Sequence, residues 1–152
     1  MSTICLEHRM QLTQFTDFSL RALIYIAMKK TKCTISDIAN AYNISDNHLI
    51  KIIHNLSKLE LINTTRGKNG GITLAANPAK INLGILIQQL ESHFDLVPCF
   101  NAEKSNCCIA PACKLKHILQ EAQKSFMNVL NQYTLADVLQ NQSDLRRLLH
   151  IV

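Results

Sequence analysis

No stretch of this chain is apolar enough to cross a bilayer, since the longest uninterrupted apolar run, Ala22 to Met28, is far too short. The opening residues MSTICLEHRM lack the apolar core of a secretory leader. A soluble, cytoplasmic protein with no membrane partner is expected. A CxxC pair is missing, and no histidine and acid are placed as partners of a nucleophile, which argues against a thiol enzyme or a redox-exchange protein. The glycines of residues 66–71 are not followed by GK[ST] or by a helix start, so they do not form a phosphate-cradling nucleotide loop. Internal repeats and low-complexity segments are absent too. The chain is not read as an enzyme.

What is present is a chain of 152 residues, 47% hydrophobic and 18% charged, able to bury a core without disulfide staples. Its net charge of +5 is uneven. Residues 1–80 carry ten Lys and Arg against five Asp and Glu, whereas residues 81–152 carry six against six. A basic half joined to a neutral half suggests that one end meets a polyanion. Four of the six cysteines fall within PCFNAEKSNCCIAPAC, residues 98–113. Thiolates recurring at Cys99, Cys107 and Cys113, with proline and small residues between them, can fold around a soft cation or a cluster. A loop of free or paired thiols, or a structural zinc site, is the alternative. Cys5 and Cys33, outside the loop, read as free thiols, and His93 and His117 as surface residues flanking it.

Helical periodicity begins at Thr13, an N-cap, with Phe15, Phe18, Ala22, Leu23 and Ile26 recurring to about Lys30. Asp17 and Arg21, four residues apart, form a surface ion pair on this reading. Thr34 and Asp37 are spaced as a capping box for a second helix that buries Ile35, Ile38, Ala39 and Tyr42 and stops near Asn43. Ser45 then caps a third helix, Asp46 to Leu61, a close succession that predicts a helix-turn-helix. Leu49, Ile52, Ile53, Leu56 and Leu59 face inward, leaving Asn47, His48, Lys51, Asn55 and Lys58 outside. Such donors on one helix face suit base edges and phosphates in a major groove.

Two strands, Ile62 to Arg66 and Ile72 to Ala75, flank the turn Arg66-Gly67-Lys68-Asn69-Gly70-Gly71. The glycines let the tip approach a nucleic-acid backbone, where Arg66, Lys68 and Asn69 can make contact. The fold class expected is therefore mainly α, a winged helix-turn-helix over residues 10–80 with a two-stranded wing, after a disordered extension over residues 1–9. Residues 81–152 are expected to supply a fourth helix over about Asn82 to His93, the cysteine loop, and a long helix from Cys113. That helix carries Leu115, Ile118, Leu119, Ala122, Phe126, Val129, Leu130 and Tyr133 as an apolar stripe, so it is read as a dimerisation helix. Thr134 and Asp137 cap a last short helix, and the tail to Val152 carries no pattern.

The stretches MQLTQFTDFSLRALIY, NHLIKIIHNLSKLELI, TTRGKNGGITL, CIAPACKLK and YTLADVL together resemble the winged-helix iron-sulfur transcriptional regulators of bacteria, from Met10 nearly to the end. Within that family the resemblance is nearest to the nitric-oxide-sensing repressors. It implies a homodimer on double-stranded operator DNA, a 4Fe-4S cluster (2Fe-2S being the alternative), and nitric oxide as the signal. Carried over, the cluster ligands are Cys99, Cys107, Cys113 and Asp17 of the partner subunit. Cys108 competes with Cys107 on local spacing, and the five-residue gap from Cys107 to Cys113 fits the family pattern. The cluster-supply regulators of the same family use a histidine after the third cysteine; His117 follows Cys113 one place too late for that pattern.

Overall fold

Local capping decides where the helices begin. The computed structural model describes residues 11–151, and the extension expected over residues 1–9 lies outside them. Helix α1 (Gln14–Lys29) opens on Thr13, whose Oγ1 accepts the Thr16 amide at 3.3 Å. Helix α2 (Ile35–Tyr42) carries the expected box: Thr34 Oγ1 accepts the Asp37 amide at 3.1 Å and Asp37 Oδ2 accepts the Thr34 amide at 2.8 Å. Each bond satisfies an otherwise orphaned N–H. Asn43, at φ 53°, ends α2 in the left-handed conformation that its short polar side chain tolerates. Helix α3 (Asp46–Lys58) follows at once. Ser45 occupies its N-cap position but makes no side-chain capping bond, a departure from expectation. Glu60, at φ 58°, turns the chain out of the helix three residues earlier than the apolar pattern implied.

Strands β1 (Ile62–Thr65) and β2 (Gly71–Leu74) pair antiparallel, with Ile62 opposite Leu74 and Thr65 opposite Gly71. The other edge of β2 is also used. Cys33 and Ile72 exchange backbone bonds of 3.1 and 2.8 Å, so the α1–α2 connection adds one rung to the wing.

A 3-10 turn (Pro78–Lys80) leads to α4 (Leu83–Leu90), which ends before the expected His93 because Glu91 is extended and its Oε1 accepts the Thr13 amide at 2.8 Å. The cysteine loop follows, then α5 (Lys114–Leu130), α6 (Leu135–Val138) and α7 (Gln142–Leu148). The core is one cluster: Leu23, Ile26, Ile38, Leu49, Ile52 and Leu56 are at most 2% exposed, and Ile81, Leu86, Leu135, Leu139, Leu149 and Ile151 join them. Burying each such aliphatic side chain is worth about 1.5–3 kcal/mol. The tail without a pattern is thus part of the core. Arg146, on α7, donates to the Met28 carbonyl at 3.0 Å and so caps the far end of α1.

Helix α5 has no buried residue. Asn82 Nδ2 donates to the Asn131 carbonyl at 2.7 Å just beyond its end, Phe94 packs its ring against Phe126 at 6.0 Å, and Gln123 donates to the Phe94 carbonyl. Its apolar stripe lies outside the core of the single chain.

Candidate nucleic-acid interface and cysteine loop

The basic half presents two adjoining elements. Asn47, His48, Lys51 and Lys58 are exposed on α3, as expected. Asn55 is only half-buried, but its Oδ1 is buried with no hydrogen-bond partner, so part of its amide is turned inward rather than outward. His48 packs its ring against Phe18 of α1 at 6.2 Å between centroids. A cavity of about 220 Å³ between the two helices is lined by Gln14, Phe15, Phe18, His48, Lys51 and Ile52. Arg66, Lys68 and Asn69 are all exposed at the wing tip. Gly67 has φ 98°, which a side chain would strain, and a Cβ on Gly70 would collide with the Thr65 carbonyl. The tight turn these glycines permit brings two cations to the end of a hairpin whose first strand is exposed beyond Ile62.

Asp17 stands in the first turn of α1, half-exposed, and takes both bonds from one guanidinium: Arg21 Nε donates to Oδ1 at 3.1 Å and an Arg21 terminal nitrogen lies 2.8 Å from Oδ2. The ion pair expected of this spacing is therefore formed. At such exposure it adds only a few tenths of a kcal/mol. Arg21 is further fixed between the rings of Phe18 and Tyr42, at 5.7 and 5.9 Å from their centroids.

In the loop, Cys99 sits in a 3-10 turn (Pro98–Phe100) and is half-buried, Cys107 and Cys108 are exposed, and Cys113 follows a second 3-10 turn (Ala110–Ala112). All four are free thiols. Cys113 is the N-cap of α5, its Sγ accepting the Lys116 amide at 3.4 Å. Among the described residues no three His, Cys, Asp or Glu side chains converge as a metal site would need. The loop holds its thiols as separate groups in this conformation.

The sequence profile of the Rrf2 family, described as iron-dependent transcriptional regulators, matches residues 12–141. The chain belongs to the Rrf2 family. The HTH-type transcriptional regulator NsrR of Bacillus licheniformis is 49% identical over 142 residues, spanning 92% of this chain and 99% of that protein. The protein of the same name from Bacillus subtilis is 44% identical over 142 residues, spanning 92% and 97%. Among solved structures, IscR of T. potens superposes with a TM-score of 0.67 at 25% identity, over 86% of this chain and 87% of that one. The oxidised form of Staphylococcus aureus CymR shares the fold, with a TM-score of 0.67 at 22% identity over 86% and 97%. The Rrf2 chain described here is accordingly a winged-helix, DNA-binding transcriptional repressor and not an enzyme. Among its described residues no helix is long and apolar enough to cross a membrane.

Membership of this iron-dependent family implies an iron-sulfur cluster. The donor chemistry fits one, because four soft thiols, none in a disulfide, lie within the short connection between α4 and the start of α5. Helix α3 also exposes two residues that the polar pattern passed over. His54 lies seven residues from Asn47 and three from Lys51, on the same face, and Ile50 is 52% exposed between them. Ile50 is the apolar member of that exposed face. Its helical offset from Asn47 and Lys51 was the available clue, masked by its apolar character.

Proposed function

We propose that this chain is a homodimeric repressor which holds operator DNA through α3 and the wing, and which nitric oxide switches through a 4Fe-4S cluster. The observation that supports this reading most is the set of unpaired thiols at Cys99, Cys107 and Cys113, just before α5, in a chain so similar to NsrR proteins. Those three residues would hold the cluster, with Asp17 of the partner subunit as the fourth ligand. A hard carboxylate matches cluster iron less well than a thiolate does. A cluster bound there would supply iron at which nitric oxide reacts.

The chain's own residues then have separate tasks. Asn47, His48, Lys51, Asn55 and Lys58 on α3, with Arg66, Lys68 and Asn69 on the wing, meet the operator; residues 10–80 carry them, and residues 81–152 carry the thiols and the dimer contact. In the single chain Arg21 occupies the Asp17 carboxylate, so ligation requires that guanidinium to give way. The exposed stripe of α5 packs against a second copy, which places two reading heads on two half-sites. Such a regulator works in the cytoplasm.

An anaerobic visible absorption spectrum of the purified protein, followed by nitric-oxide titration while operator-fragment binding is monitored, tests the reading. Brown protein that bleaches as DNA is released supports it. Brown protein indifferent to nitric oxide points to a cluster-supply regulator, and colourless protein with stoichiometric zinc leaves a DNA-binding module with a structural metal.

A further inference from the structure

The wing tip is held from outside its own hairpin. Within the hairpin, the Gly70 amide donates to the Gly67 carbonyl at 2.9 Å, and Thr65 Oγ1 accepts the Gly71 amide at 3.1 Å and donates to the Gly71 carbonyl at 3.3 Å. Beyond these bonds, residues 66–69 of the tip are exposed on a glycine-rich backbone, which has more conformational freedom to lose than any other. A tie from outside the hairpin comes from the α1–α2 connection. Lys32 Nζ donates to the Asn69 carbonyl at 2.9 Å, across 37 residues of sequence. The next residue, Cys33, forms the backbone rung with Ile72. Glycine at position 71 makes this approach possible, since a Cβ there would lie 2.9 Å from Lys32 Cβ and 3.2 Å from the Cys33 carbonyl oxygen. The lysine stem therefore lies directly on the start of β2, and its ammonium reaches the tip.

We propose that Lys32 is a positioning residue for DNA binding. Its ammonium fixes the wing-tip backbone, and so sets the direction in which Arg66, Lys68 and the Asn69 side chain meet the nucleic acid. Because the acceptor is the main-chain carbonyl of Asn69, that residue's side chain stays free for contact. The lysine acts through the wing rather than by reaching a phosphate itself. The inference rests on the reading that the wing cations contact DNA.

The test compares Lys32→Met, which keeps the stem and removes the donor, with Lys32→Arg, which keeps donor and charge. Two quantities are measured on the full chain: hydrogen exchange at the Gly70 and Gly71 amides without DNA, and affinity for an operator fragment. Lys32→Met should speed exchange at both amides and weaken operator binding about threefold to tenfold, the range for an exposed charge-assisted hydrogen bond. Lys32→Arg should restore both. In an Arg66→Ala, Lys68→Ala background, Lys32→Met should cause no further loss, because the groups it positions are gone. Additive losses with unchanged amide exchange would mean a direct phosphate contact and overturn the proposal, as would faster exchange with unaltered affinity. If Arg66→Ala, Lys68→Ala alone bound DNA like the parent, the wing reading would fail and the proposal with it. The exchange data would separate that failure from a failure of the Lys32 tie.

Discussion

Replacing Ile118 by serine separates assembly from folding. Ile118 is 61% exposed on α5, a helix with no buried residue, so the substitution opens no cavity and removes no contact from the core. Full burial of an isoleucine side chain is worth about 1.5–3 kcal/mol, and the part still exposed here leaves about 1–2 kcal/mol to be gained at an interface. A two-fold symmetric dimer uses the same patch twice. Ile118→Ser should then cost about 2–4 kcal/mol of dimerisation, a rise in dissociation constant of roughly thirtyfold to a thousandfold. Equilibrium sedimentation over a dilution series measures that constant directly, while a urea melt monitored by circular dichroism, at a concentration where parent and variant are both monomeric, should shift by no more than about 0.5 kcal/mol, as for ordinary surface changes. Operator affinity should fall alongside dimerisation, because two linked reading heads bind far better than one. An unchanged dimer constant would refute the assignment of the α5 stripe to a second copy, and a dimer loss matched by an equal loss of folding stability would place Ile118 in the fold after all.

Lys51→Ala should weaken operator binding and lower the slope of log affinity against log salt by about one, as expected for one lost phosphate contact; a brown absorption spectrum identical to the parent's should accompany it. Asp17→Ala should leave the dimer intact and change the rate at which cluster colour is lost under nitric oxide, with unaltered kinetics counting against Asp17 as a ligand. The buried Cys33 thiol has its pKa raised from 9.0 to about 11, first by burial and second by the nearby Asp37 carboxylate. The folded state therefore keeps this proton more tightly than the unfolded chain does, and the stability tied to it is complete below pH 9.0 and lost as pH rises through about 11. Urea midpoints taken across that window should fall more steeply for the parent than for Cys33→Ala; parallel curves would disprove the linkage.

Much of the reading head was legible because its determinants are local. Thr34 and Asp37 three residues apart, asparagine at the α2 stop, and two β-prone runs around a glycine-rich turn each act within a few residues. The α5 stripe was legible as well, as apolar side chains that the single chain leaves exposed. What escaped depends on distant partners. Cys33 looked like an unremarkable thiol, yet its backbone makes a rung with Ile72, and neither residue carries a local sign of the other. Helix α7 is seven residues long, too short for periodicity to show, and gains its place from Leu149 and Ile151 entering a core built mostly by residues 22–90. Ser45 had the right residue type without the bond, and Asn55 the right face without full exposure. For the cysteines, spacing offered candidate donors, and the described residues do not bring three of them together, since a loop's conformation is not encoded in a period.

The Arg146 bond to the Met28 carbonyl spans 118 residues, and it sets an order of events during biosynthesis. On a ribosome, α1 emerges long before α7 exists, so its outer end and the Leu149 and Ile151 side of the core wait for most of the polypeptide to be made. Long-range closures of this kind are entropically late steps. The nascent winged helix therefore spends its early life without its final seal, and a stalled product ending within α5 would carry α3 and the wing on a core left open to water.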